Sequence, residues 1–141
     1  MNAIISLVAS LLIWSFACNL SADVPQIRIS VDAQGDKGDD TRMVSALSHE
    51  FRKLDGVSVT DTQPALKVTC VVIPLTVTQG GGKTRSGYAV SVAVVGADDH
   101  LITHLVQADR TIEGLAHGIV VDLDGSVIEE MRRTARPSSS P

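Results

Sequence analysis

The hydrophobic and polar positions change period several times along the chain, and each change marks an element. From Gln26 to Asp32, Ile27, Ile29 and Val31 alternate with Arg28, Ser30 and Asp32, a period of two that predicts a half-buried strand. A turn-rich acidic stretch with Gly35 and Gly38 follows. Val44, Leu47, Phe51 and Leu54 then recur at spacings of three and four, which predicts a helix capped by Asp40 or Thr41 and stopped near Gly56.

Val57 and Val59 begin a short second strand, and Pro64 interrupts it. From Leu66 to Val77 both alternating sets are largely apolar, the pattern of a strand covered on both faces. Pro74 has no amide hydrogen to give a neighbouring strand, so an edge or a bulge is expected there. Gln79 to Gly87 reads as a flexible connection. Tyr88 to Val95 reads as a strand with Tyr88, Val90, Val92 and Val94 on one side and Ala89, Ser91 and Ala93 on the other. Leu101 to Gln107 is a candidate fifth strand. Leu115, Ile119, Leu123, Val127 and Met131, widened by Val120, predict one long helix from about Thr111 to Arg133. Gly114, Gly118 and Gly125 weaken that helix, each by about 1 kcal/mol relative to Ala, so packing must offset them. Arg132, Arg133 and Arg136 complement its negative end.

The order is thus β-α-β-β-β-(β)-α. It predicts an α+β fold, a mostly antiparallel sheet of four or five strands with two helices packed on one face. Residues 23–134 form a single domain in this reading, and residues 135–141 a disordered polar tail. The order alone resembles that of the amino-terminal domain of the TolB translocation proteins, and it carries no residue across.

Residues 1–22 are read as an export signal. Ala3 to Ala17 is apolar except for Ser6, Ser10 and Ser15, and small residues follow at Ala17 and Ala22. The run is short for a membrane helix, which needs about 20 apolar residues. Met1-Asn2-Ala3 lacks the expected Lys or Arg, so the alternatives are an uncleaved anchor or a start further upstream. Cleavage after Ala22 leaves Asp23 first, and Cys70 is then the remaining thiol, with no internal disulfide. Cys18 is a candidate lipidation site: Ala17 resembles the residue before a lipoprotein cysteine, while Phe16 and Ser15 depart from that pattern. The localisation expected is periplasmic or secreted, or membrane-tethered through the leader or a lipid on Cys18.

Composition removes several function classes. The formal net charge is −4, and all of it lies beyond the leader. A nucleic-acid partner, which calls for a clustered basic surface, is not expected. Phe51 and Tyr88 are the aromatic residues downstream of the leader, too few for a base-stacking platform. Cys70 lies in an apolar run and reads as a small buried hydrophobe.

The motifs fall short of a catalytic set. Gly80-Gly81-Gly82-Lys83-Thr84 lacks the earlier glycine of a phosphate loop, since Val77 stands there, and a strand rather than a helix follows; it reads as a hairpin. His49-Glu50 begins like a zinc-protease helix, but Lys53 replaces the second histidine. Asp32, Asp36, Asp39 and Asp40 lack calcium-loop spacing, as do Asp122 and Asp124. The strongest metal candidate is Asp99, His100 and His104, beside Asp98, with the two histidines four apart. His117 reads as a surface residue. No cofactor is expected. The leading function is a small exported domain that binds another macromolecule, such as an envelope protein, without catalysis. The strand edge near Pro74 and the Gln79–Gly87 segment are its candidate docking surfaces. The alternative is an exported metal-dependent enzyme or metal-binding protein using Asp99, His100 and His104. The sequence does not set the oligomeric state.

Overall fold

In the computed structural model, residues 26–136 are described. The predicted leader, Cys18 and the chain beyond Arg136 lie outside them. The elements are β1 (Ile27–Gln34), α1 (Asp39–Phe51), β2 (Val57–Val59), β3 (Leu66–Gln79), β4 (Gly82–Gly96), β5 (Leu101–Asp109), α2 (Ile112–Leu123), a π-helical turn (Asp124–Ile128) and α3 (Glu129–Ala135). The five strands form one sheet in the order β2-β1-β3-β4-β5. β1 runs parallel to β2 and β3, joined by the α1 crossover, while the longer β3–β4 and β4–β5 pairings are antiparallel. The expected α+β architecture is therefore present, with both helical segments on one face.

The core lies between the sheet and those helices. Ile29, Val68, Cys70, Val90, Val92 and Val94 meet Met43, Leu47 and Phe51 of α1 and Ile112, Leu115, Ala116 and Ile119 of α2. The buried stripe of α1 is Met43-Leu47-Phe51, one turn at a time, rather than the stripe through Val44. The helix also starts earlier than its caps predicted. Gly38, with φ of 85°, precedes Asp39, and no side chain caps the first turn. Asp39 itself is buried there.

Thr111 caps α2, its hydroxyl accepting from the Gly114 amide at 3.0 Å. The helix expected to run unbroken to Arg133 widens at Asp124–Ile128 into a π turn. Strict spacings of four drift off the core face of a 3.6-residue helix. The wider turn brings Val127 and Ile128 both into the core. Arg132 fixes this turn, donating to Asp124 Oδ1 and to the Asp55 carbonyl, each at 2.8 Å. The glycine at 114 also has a packing reason: a Cβ there would lie 2.5 Å from Asp109 Oδ1.

The largest difference from the sequence reading is at Gln79–Gly87. The hairpin read at Gly80–Thr84 is present, but it is tight, and the flanking residues expected to be a flexible connection are paired strand up to Gln79 and Gly82. Gly80 and Gly81 take φ of 60° and 82°, the left-handed pair of a two-residue turn, and the ladder closes at Gln79 opposite Gly82.

Candidate functional site

β3 and β4 run on past their neighbours. β1 pairs with β3 as far as Val71, and β5 pairs with β4 only from Tyr88 onward. The ladder beyond these rungs is a two-stranded arm, with a bulge between Leu75 and Thr76, next to Pro74 as expected. Leu75 and Val77 are exposed on the arm, and Lys83 and Arg85 are its charged residues. At its root, Arg85 Nη1 donates to Tyr88 Oη at 2.9 Å, and the guanidinium stands 5.1 Å from the Tyr88 ring centre. Arg85 Nη2 also lies 3.6 Å from Asp39 Oδ2, which has no hydrogen-bond partner among the described residues. Arg85 and the positive end of α1 thus both oppose the Asp39 charge.

The second face of the sheet is covered by no helix among the described residues. Its β1 part follows the rule for a wetted face, with Arg28, Ser30, Asp32 and Gln34. Across β3, β4 and β5 the rule fails. One row across the sheet is Val71, Ser91, Val106; the next is Ile73, Ala89, Ala108. Ile73 is 55 % exposed and Val106 68 % exposed. Val95 and Leu101 pair at the other end of the same band. The sequence pattern of β3 called for cover on both faces, and the described chain supplies it on one.

Two polar members of this band pair with each other. Ser91 Oγ and His104 Nε2 are 2.9 Å apart across the β4–β5 ladder. The other members of the metal candidate lie elsewhere. Asp99 sits in the β4–β5 turn with φ of 62°, and its Oδ1 accepts from Lys67 Nζ at 2.6 Å. His100 Nδ1 lies 3.1 Å from Asp98 Oδ2. The structure therefore does not bring Asp99, His100 and His104 onto one point, and among the described residues no group of three or more His, Cys, Asp or Glu is placed to hold a metal ion.

The remaining candidates have structural partners. Glu50 receives Lys53 from the turn that follows α1 and lies 3.1 Å from His117 Nδ1 of α2. These two neighbours hold its carboxyl below the usual range. His117 is exposed, as expected. Asp122 accepts from Gln107 and Asp124 from Arg132. Asp32 Oδ1 and Asp40 Oδ1 accept from the next backbone amides. Cys70 is buried in the core, and burial pushes its thiol up to about 12, so the thiolate needed for nucleophilic chemistry is scarce at neutral pH. The signal that the sequence reading left unused was the two-sided apolar pattern of β3 itself. It pointed to a surface rather than to a reactive cluster.

No helix among the described residues is long and apolar enough to cross a membrane. No protein-family model and no curated protein matches the chain. Solved structures do. The chain is similar to a PelC variant dodecamer from Paraburkholderia phytofirmans, with a TM-score of 0.50 and 8 % identity over 70 % of this chain and 83 % of that one. It is also similar to lipoprotein GNA1162 from Neisseria meningitidis, with a TM-score of 0.48 and 9 % identity over 77 % and 99 % of the two chains. The hypothetical protein CT253 from Chlamydia trachomatis gives 0.47 and 8 % identity over 76 % and 96 %. At these identities the likeness is one of fold alone.

Proposed function

We propose that this chain is a small exported domain that binds another macromolecule, without catalysis, through the apolar band on the second face of its sheet. One observation carries the reading: β3, β4 and β5 present Val71, Ile73 and Val106 to solvent on a face that an antiparallel sheet in water makes polar. The PelC structure of like fold is a dodecamer, which supports counting a second copy of the chain among the candidate partners. Export rests on the apolar leader of residues 1–22. Processing after Ala22 gives a free domain, and a lipid on Cys18 gives a tethered one.

The topology suits a tether. The chain enters β1 at Ile27, beside the β2 start at Val57, while the arm turns at Gly80 and Gly81 at the opposite end of the sheet. A membrane-held amino terminus would leave the arm at the end of the sheet away from the membrane.

Site-specific photo-crosslinking in the exporting cell tests this. A photoreactive residue at Ile73 is expected to give a discrete crosslinked product, and one at the equally exposed Val121 on the helix layer is expected to give none. Equal products at both positions, or products from Val121 alone, would refute the proposal.

A further inference from the structure

Resting on that reading, we infer that the partner seated on the apolar band is a second copy of this chain, packed sheet against sheet. Charge gives the first argument. The chain carries a formal net charge of −4, so two copies repel through most orientations. No acidic residue occurs between Asp61 and Asp98, and the rows Val71-Ser91-Val106 and Ile73-Ala89-Ala108 carry no charged side chain; Lys67, beside Val95 at the far end, is held by Asp99. A like-charged copy meets no acidic side chain on these rows, and it presents the same uncharged rows in return.

Shape and polar pairing give the second. Two sheets pack face to face when their facing side chains are apolar and interdigitate. Here large Ile73 and Val106 alternate with small Ala89 and Ala93, which offers holes for the knobs of an identical face. A two-fold contact is isologous, so one such patch serves both copies. The Ser91–His104 pair can enter this interface with its hydroxyl and Nε2 already satisfied, avoiding the cost of two buried orphans. The product is a four-layer assembly, helices outside and two sheets within.

The test is the mass in solution of the full chain, expressed with its leader and purified in processed form, by light scattering and sedimentation up to about 0.1 mM. Wild type is expected at twice the chain mass. Ile73→Glu and Val106→Lys are each expected to halve the measured mass with an unchanged circular dichroism spectrum, and Val121→Glu is expected to leave it doubled. A dimer indifferent to both band substitutions would overturn the inference, because the contact would lie elsewhere. A wild-type monomer would also overturn it. If that monomer still gives a heavier product from the Ile73 photo-crosslinker, the band binds a different macromolecule and the proposed function stands. If it gives no product, or an internal one to the amino-terminal segment, both fail.

Discussion

Ser91 Oγ lies 2.9 Å from His104 Nε2, linking β4 to β5 on the uncovered face of the sheet. This pairing engages one ring nitrogen of His104 on the sheet face, while His100 turns to Asp98 and Asp99 to Lys67, so the three candidates have separate partners. A zinc site needs three or four protein ligands at about 2.0–2.3 Å. Zinc titration of the purified chain by calorimetry is therefore expected to show no stoichiometric uptake that the double substitution His100→Ala, His104→Ala removes. Tight uptake lost in that variant would restore the metal reading.

The same pair makes a prediction about association. Ser91→Ala deletes the hydroxyl on a solvent-exposed face, where a hydrogen bond is worth about 1 kcal/mol at most. Monomer stability in urea is expected to change little. Dimer affinity is expected to fall by about tenfold, since the imidazole then enters a dry interface unpaired. Equal loss in both measurements would mean that the pair serves the fold rather than the contact.

Gly114 and Asp109 form a coupled site in the helix layer. A methyl at position 114 would overlap the Asp109 carboxylate, which accepts from the Thr111 amide at 2.9 Å. Gly114→Ala is expected to destabilise the domain by about 1–3 kcal/mol despite alanine's better helix propensity. In an Asp109→Ala background the same change is expected to turn neutral or stabilising, by up to about 1 kcal/mol. Additive effects in urea denaturation would contradict the packing account.

Cys70 gives a pH dependence. Burial raises its thiol to about 12, so the folded chain keeps a proton that the unfolded chain releases near 9. Stability from this group is present below about pH 9 and is lost as the pH rises from there toward 12. Cys70→Ala is expected to flatten that alkaline loss, at the cost of a small core cavity. In the native protein at pH 8 a thiol reagent is expected to react with Cys70 only at the rate of unfolding. Immediate stoichiometric labelling would mean that the core around Cys70 is open.

Much of the fold was legible in local periodicity. The Ile27-Ile29-Val31 alternation, the α2 stripe and the Gly-rich punctuation all report constraints that neighbours in sequence share. What was not legible depended on distant partners. The α1 stripe shifts to Met43 because β1 and α2 fix the helix's rotation, which Val44 and Leu47 alone do not. The π turn reflects Arg132 reaching Asp55, far away in sequence. The hairpin at Gly80 and Gly81 was legible in the glycines, but its flank up to Gly87 read as a flexible connection because its Thr, Lys and Arg positions lack an apolar alternation, and there the ladder continues. The candidate site was half visible. Leu66–Val77 announced two apolar faces, but which strands would extend the second face, and that nothing among the described residues covers it, required the β3-β4-β5 register.

The central claim, that this face is covered when the protein works, is tested most directly by thiol accessibility in place. Val106→Cys and Val121→Cys are each exposed positions, and buried Cys70 supplies no background. In the intact exporting cell, a membrane-impermeant thiol reagent is predicted to label Val106→Cys much more slowly than Val121→Cys, and the two rates are predicted to converge once the protein is purified and diluted below its association range. Equal rates in the cell would contradict the account.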